Sequence, residues 1–246
     1  KEILKTDPHG LEKFGLGYTD LDVLENLPEP VYLPYSKELR INEQDDSFLS
    51  KPRWPVERST PDNFPLLLHY HPLTIYRYQV AKQADTLLAD YLFPEDLSED
   101  QLKREYHYYE GVTTHDSSLS RSIFSILAAR MGDTEKAYKY FMDTAQMDLV
   151  NLQKNTADGL HLANLGGSWL ALVAGFSGFY VQDEVVHFYN HLPAEINRLT
   201  YRMKIAASVL EIDLTATSTN VTVISGPIPT YGVSVNGHLI SLEKVS

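Results

Sequence analysis

Near residue 180 the apolar pattern of this chain changes its period. Before that point apolar residues recur at helical spacing, and after it they alternate in short runs. Such a chain is mainly α with a β tail. The change divides it into a helical part, 1–180, and a β part, 181–246. Within the first part no strand-like run separates the helical segments, so antiparallel helical hairpins are the expected packing.

The helical segments can be bounded from their own residues. Leu11 to Leu27 is expected to hold a helix. From Pro28 to Pro65 the prolines at 28, 30, 34, 52, 55 and 61 exclude helix interiors and central strands. That stretch reads as ordered but irregular, pinned by Tyr32, Tyr35, Phe48 and Trp54. Pro72 suits the first turn of a helix reaching about Tyr91. Ser98 with Gln101 three residues on is a capping-box pattern, opening a helix to about Tyr109. Ser117 or Ser118 is expected to cap a helix that stops at Gly132. Asp133 is expected to cap another, to about Asp148. Leu165 to Phe179 reads as a final, almost wholly apolar helix, whose Gly166, Gly167, Gly175 and Gly178 admit close neighbours.

In the β part, Val185–Tyr189, Leu199–Ile205, Ser208–Leu214 and Val221–Ser225 read as strands. Val233–Val235 and His238–Leu242, joined by Asn236-Gly237, read as a hairpin, because both turn residues accept positive φ. The expected product is a small antiparallel β-sandwich.

Composition narrows the partners. Lys and Arg number 21 against 33 Asp and Glu, a net charge of −12, which argues against a phosphate backbone or an anionic bilayer as partner. There is no cysteine, so disulfides, thiolate nucleophiles and Cys-ligated zinc are excluded, and a reducing compartment suits the chain. The longest apolar stretch, Trp169 to Phe179, is too short to span a bilayer. The first ten residues hold no apolar signal core. They also begin without methionine, so a fragment of a longer protein is expected.

Three polar segments stand out against this background. Lys82-Gln83-Ala84-Asp85 places a cation, an amide and a carboxylate within one turn of the expected helix. They either partner one another or line a wet pocket, since burying them unpaired costs several kcal/mol. Thr113 to Ser120 gathers hydroxyls and His115 before a helix start, where free N–H groups and the positive dipole end favour an anion; a well-capped helix is the alternative. Asp158 to Trp169 repeats that arrangement with His161, either a ligand-binding group or a hydrogen-bonded core histidine. His69 and His71, without a third ligand at recognisable spacing, give little support for a metal. No Gly-x-Ser-x-Gly, P-loop or dinucleotide fingerprint is present. Two polar helix starts and one polar helix face at one end of an α-toroid would make a sugar or anion pocket.

These segments carry a resemblance. NFPLLLHYHPLTIYRYQVAKQAD (63–85), YYEGVTTHDSSLSRSIFSILAARMGDTEKAYKYF (108–141), NTADGLHLANLGGSWLALVAGFSGF (155–179) and QDDSFL (44–49) occur in an order that resembles glycoside hydrolase family 65 over nearly the whole chain. That family comprises maltose, trehalose, kojibiose and related phosphorylases, with acid trehalases as hydrolytic relatives. The resemblance implies the second half of an (α/α)6 barrel followed by a small C-terminal β-sandwich. It implies inverting phosphorolysis with no cofactor, inorganic phosphate being the co-substrate and α-linked glucose disaccharides the substrate. A phosphate nucleophile replaces the water and base carboxylate of an inverting hydrolase.

By the same resemblance Lys82 and Gln83 match the pair that holds the glucosyl unit. His161 matches the phosphate-binding histidine, and Ser117 and Ser118 match the hydroxyl loop at the phosphate site. The family's general-acid segment, of Gly-Pro-Asp-Glu-Tyr type, is not in this sequence. It is expected upstream, and Glu105, Glu110 and Glu135 on helical faces are not candidates to replace it. No catalytic residue is therefore assigned here, and the chain alone is expected to be inactive. A homodimer is a further expectation of the resemblance; a half barrel would expose apolar helix faces, so pairing with a missing part of the barrel or with another copy is expected, and a cytoplasmic location is expected from the missing signal core. A trehalase-like hydrolase and a non-catalytic carbohydrate-binding module remain the alternatives.

Overall fold

The computed structural model describes residue 9 and residues 12–26, 32–55, 59–94 and 97–244. Residues 1–34 and residues 35–246 form two compact units. In the first, a short turn at Glu12–Phe14 precedes helix α1, Tyr18–Glu25. Gly17 N–H donates to the Asp20 carboxylate at 2.7 Å and fixes its start. The helix expected over Leu11–Leu27 is thus shorter at its start, because Gly15 takes φ +67 and breaks the spiral; Leu11 and Leu27 themselves lie outside the described residues.

In the second unit a two-residue pair, β1 (Tyr35–Ser36) and β2 (Ile41–Asn42), lies within the proline-rich stretch, between Pro34 and Pro52. The single helix expected from Pro72 to Tyr91 is two. Helix α2 is one turn, Pro72–Ile75, and α3 is Asp85–Leu92. Between them residues 76–84 form a non-helical strap, a turn at 76–78 followed by a segment bridged to its neighbours at Gln79 and Ala81. Gln79 N–H donates to Pro52 C=O at 2.8 Å, Ala81 N–H to Val112 C=O at 2.9 Å, and Thr114 N–H to Ala81 C=O at 2.8 Å. Alternation explains it: Tyr78 and Val80 both pack on the cluster built around buried Trp54, Leu66 and Ile75. A period of two places them on one side, whereas a helix would separate them.

Three helices form the main core. They are α4 (Glu99–Glu110), α5 (Ser120–Arg130) and α6 (Thr134–Ala145). Ser98 caps α4 by accepting Gln101 N–H, and Asp133 caps α6 by accepting Lys136 N–H, as their spacing predicts. Helix α5 is central, with Phe124, Ile126, Leu127, Ala128 and Ala129 essentially inaccessible. Each large side chain so buried contributes about 1.5–3 kcal/mol. Its Ser125 reaches Ala137 C=O at 2.8 Å, so the buried hydroxyl is satisfied.

Helix α7, Leu162–Leu170, continues as a wider π-helical turn, Ala171–Phe176. It starts three residues before the expected Leu165 and ends before Phe179. Gly167 lies against Ser122 of α5, where a Cβ would come within 2.8 Å of the hydroxyl. Gly178 takes φ +58 and turns the chain out of the helix; a Cβ there would stand 2.4 Å from Tyr189 C=O.

The β part has two sheets sharing one core. One is β3 (Tyr180–Gln182), β4 (Val185–Phe188), β8 (Gly232–Val235) and β9 (His238–Leu239), adjacent in that order. The other is β5 (Arg198–Ile205), β6 (Ser208–Thr215) and β7 (Thr219–Ser225). Phe188, Leu210, Ile212, Leu214 and Val223 fill the space between them. The sequence suggests a wholly antiparallel sandwich; the structure differs at one pair. Strand β4 runs parallel to β8, with Val186 opposite Val233, because the chain passes through the other sheet between them and returns to the same edge. The Asn236-Gly237 turn forms as expected, with φ 49 and 82. The sandwich joins the helices through Tyr189 N–H to Ser177 C=O and His191 N–H to Phe176 C=O. Leu192, Ile196 and Leu199 extend the helical core.

Candidate functional site

The strap delivers the first polar segment. Lys82 and Gln83 precede α3 rather than lying in it, and Ala84 is the N-cap. Their sequence context predicts a helix face; the main-chain bonds of Gln79 and Ala81 to Pro52, Val112 and Thr114 override that. Gln83 Nε2 donates to Asp85 Oδ1 at 2.8 Å, and Gln44 Nε2 to Asp85 Oδ2 at 3.1 Å. Thr86 Oγ1 closes the set by donating to Gln44 Oε1 at 3.3 Å. Lys82 is exposed, and its ammonium makes no ion pair or hydrogen bond among the described residues. A cavity of about 250 Å³ is lined by both residues together with Gln44, Asp45, Asp85 and Asp116. Gln44 was not singled out as a site residue from sequence; the QDDSFL run held it.

The second segment meets the first through the backbone: Ser117 N–H donates to Lys82 C=O at 3.2 Å. Neither Ser117 nor Ser118 caps α5, whose N-cap is Leu119. Ser117 Oγ instead accepts Leu119 N–H at 3.3 Å, within the turn that precedes the helix. The Ser118 hydroxyl has no hydrogen-bond partner among the described residues. His115, at φ 57, bonds Ser120 Oγ through Nδ1 at 2.9 Å and Tyr140 through Nε2 at 3.3 Å. Burial, then the charge of Arg121, pushes its pKa down to about 3, so it is a neutral scaffold group. Burial raises the Asp116 carboxyl, which accepts Leu66 N–H at 2.7 Å.

The third segment begins at His161, the residue before α7. Both its main-chain and its ring nitrogen bind one carboxylate. His161 N–H lies 2.9 Å from Asp148 Oδ2, and Nδ1 lies 2.5 Å from Oδ1. The bond from the ring holds the Asp148 carboxyl below the usual range. Asp148 sits just beyond α6, in a loop that also reaches the second segment: its Gln153 Nε2 donates to His115 C=O at 3.1 Å, beside Arg121 of α5, which donates to the same oxygen at 2.9 Å.

The starts of α3, α5 and α7 line one groove of about 490 Å³, through Gln83 and Asp85, Leu119 and Ser120, and Ala163 and Gly166. Gly166 thus borders open space instead of a neighbouring backbone, and a Cβ there would meet nothing within 4 Å. Ser117, Ser118 and His161 are not among the residues lining this groove or the cavity beside it. His161 stands two residues before Ala163.

The acids left out of the reading are occupied or peripheral. Glu105 is fully buried and accepts Asn42 N–H and the Gln101 amide. Glu110 bonds Lys136 at 2.8 Å and Tyr140 at 3.1 Å. Glu135 is exposed on α6. His71 Nδ1 accepts Leu73 N–H and caps α2. Among the described residues no three His, Cys, Asp or Glu side chains gather as metal ligands, and no helix is long and apolar enough to cross a membrane.

A family model described as the glycosyl hydrolase family 65 central catalytic domain matches residues 1–170. The chain belongs to glycosyl hydrolase family 65. This family 65 chain is 43% identical over 234 residues to an alpha,alpha-trehalose phosphorylase of Geobacillus stearothermophilus, covering 94% of itself and 31% of that protein. It is 36% identical over 184 residues to a maltose phosphorylase of Bacillus subtilis, covering 75% of itself and 24% of the relative. A solved structure of a putative kojibiose phosphorylase from the human microbiome superposes with a TM-score of 0.82 at 27% identity, over 94% of this chain and 31% of that one. The chain therefore spans about a third of the length of the relatives it matches.

Proposed function

We propose that this family 65 chain is the C-terminal part of an inverting α-glucoside phosphorylase, which converts an α-linked glucose disaccharide and phosphate to glucose 1-phosphate and a free sugar. Residues 1–180 supply half of an (α/α)6 barrel and residues 181–246 a C-terminal β-sandwich domain. Lys82 and Gln83 hold the glucosyl unit: an ammonium and an amide beside Asp85 match adjacent sugar hydroxyls. Ser117, Ser118 and His161 serve the phosphate, with hydroxyls, free helix-start N–H groups and an imidazole as donors. The general acid comes from a segment upstream of this chain. The rest of the barrel covers the exposed side of α7, and the assembly is a homodimer.

The observation that carries the reading is the bond from Ser117 N–H to Lys82 C=O. It brings Lys82 and Ser117 side by side, next to the groove where three helices begin, which supports a sugar subsite and an anion subsite sharing a border. The phosphorylase names of the relatives support the same reaction class.

The test is product analysis on the natural gene product. With trehalose, maltose or kojibiose it should yield glucose 1-phosphate only when phosphate is added. Free glucose alone, independent of phosphate, would overturn this in favour of a hydrolase. In an active enzyme Lys82→Ala should lower kcat/KM at least 100-fold, about 3 kcal/mol of lost transition-state binding, with the melting temperature unchanged. Retained activity would remove Lys82 from the site.

A further inference from the structure

His161 can offer an anion only one ring nitrogen, because the other is already committed. Its Nδ1 is bonded to Asp148 Oδ1, and the second oxygen of the same carboxylate takes the His161 main-chain N–H. One side chain thus fixes the backbone at the start of α7 and the rotation of the imidazole together. The surroundings keep that carboxylate in place. The Asp148 side chain is 9% exposed and the His161 ring 18%. The Asn164 amide, one turn into α7, donates to Thr144 C=O at 2.8 Å and ties that helix to α6. Nε2 makes no hydrogen bond among the described residues.

We propose that Asp148 is the positioning residue for anion capture by His161: it holds the ring so that Nε2 faces the ligand, and its charge balances a ring protonated on both nitrogens. The inference rests on the reading of His161 as a phosphate-side residue. The chemistry follows from the donor count. With Nδ1–H given to Asp148, a neutral ring presents a lone pair at Nε2, which repels a phosphate dianion. Donation to the dianion requires a second proton, taken from solvent or from the monoanion of phosphate. The imidazolium then lies between two anions, Asp148 and the ligand. A carboxylate that orients a histidine in this way matters to ligand affinity roughly 10- to 100-fold where the histidine binds a metal, and the same logic applies to an anion.

The experiment compares Asp148→Asn, Asp148→Ala and His161→Ala in the natural gene product, varying inorganic phosphate at saturating disaccharide and then the reverse. Asparagine keeps a single acceptor oxygen for the two His161 N–H groups and loses the charge; alanine loses both oxygens. The phosphate KM should rise about 10-fold in Asp148→Asn and further in Asp148→Ala. The disaccharide KM, and kcat at saturating phosphate, should stay within about twofold. Unchanged phosphate KM in Asp148→Asn, while His161→Ala raises it, overturns the role of Asp148 and leaves the site reading standing. Equal rises in both KM values mean a loop staple only and also overturn it. A phosphate KM unchanged in His161→Ala overturns the site reading itself. If Asp148→Ala fails to fold, Asp148→Asn, which retains one acceptor oxygen, decides.

Discussion

Strand β6 and helix α7 are both strongly apolar, yet the fold treats them differently. In β6, Leu210, Ile212 and Leu214 all point inward and are fully inaccessible, while the residues between them are part-exposed. In α7 only Asn164 and Gly167 are buried; Leu162 is 73% exposed and Trp169 49%. The sandwich therefore closes its own core, whereas α7 uses its small, polar positions to pack on α5 and α6 and leaves its large apolar side uncovered. Apolar content alone does not say which side of an element is inside. The contact partner decides, and in α7 the close approach to Ser122 selects glycine for the buried side.

The sharpest way to break this contrast is to empty one position in each region. Phe188 is fully buried between the sheets, so Phe188→Ala should cost about 3–5 kcal/mol in denaturant unfolding. A loss below 1 kcal/mol would mean that the sandwich core is not close-packed.

A second prediction concerns the buried acids behind the site. Asp90 of α3 and Glu105 of α4 lie together, and Asp90 Oδ2 and Glu105 Oε2 are buried with no donor from the other described residues, so a hydrogen bond between the two acids needs a proton held on one of them. Burial first, then the hydrogen bond to Glu105 and its charge, push the Asp90 pKa up to about 9 from its ordinary 3.8. The folded state thus keeps a proton that the unfolded chain releases. Its contribution is fully present below the ordinary carboxylate pKa and is lost as pH rises through the shifted one. Stability should fall by up to about 1.4 kcal/mol per pH unit across that interval. Asp90→Asn should flatten the fall between pH 5 and 8; an identical slope in the variant would show that the pair holds no extra proton.

The smallest effect is expected on the open side of α7. Leu162→Ala on the chain of 246 residues should change stability by no more than about 0.5 kcal/mol. The same substitution in a longer natural product, where the proposed remainder of the barrel covers α7, should cost about 2–5 kcal/mol. Equal small effects in both would sink that covering.

Much of the fold was legible because its signals are local. The Ser98 and Asp133 caps, the alternation of β6 and the Asn236-Gly237 turn each depend on residues a few positions apart, and each formed where expected. The missed features depend on distant partners. The strap at 76–84 has helical spacing in the sequence but is not helix, because Gln79 and Ala81 bond to Pro52, Val112 and Thr114, and the parallel alignment of β4 with β8 joins strands more than forty residues apart. The candidate site divides in the same way. Its residue types, a Lys-Gln pair, a hydroxyl loop and a histidine before an apolar helix, stood out in the sequence. Gln44 and Asp148 did not, since each becomes a partner only through long-range folding.

By itself, then, the sequence determined the division into a helical and an alternating part, the starts of α4 and α6, and the polar loops that precede α5 and α7. Propensity, capping and periodicity act over one or two turns, so no tertiary information was needed. Tertiary structure alone decided that Lys82 lies in a strap against Ser117, that His161 is held by Asp148, and that α7 buries its glycine side. Those outcomes depend on hydrogen bonds and close approaches between residues 13 to 45 positions apart, whose geometry exists only once the core has brought them together.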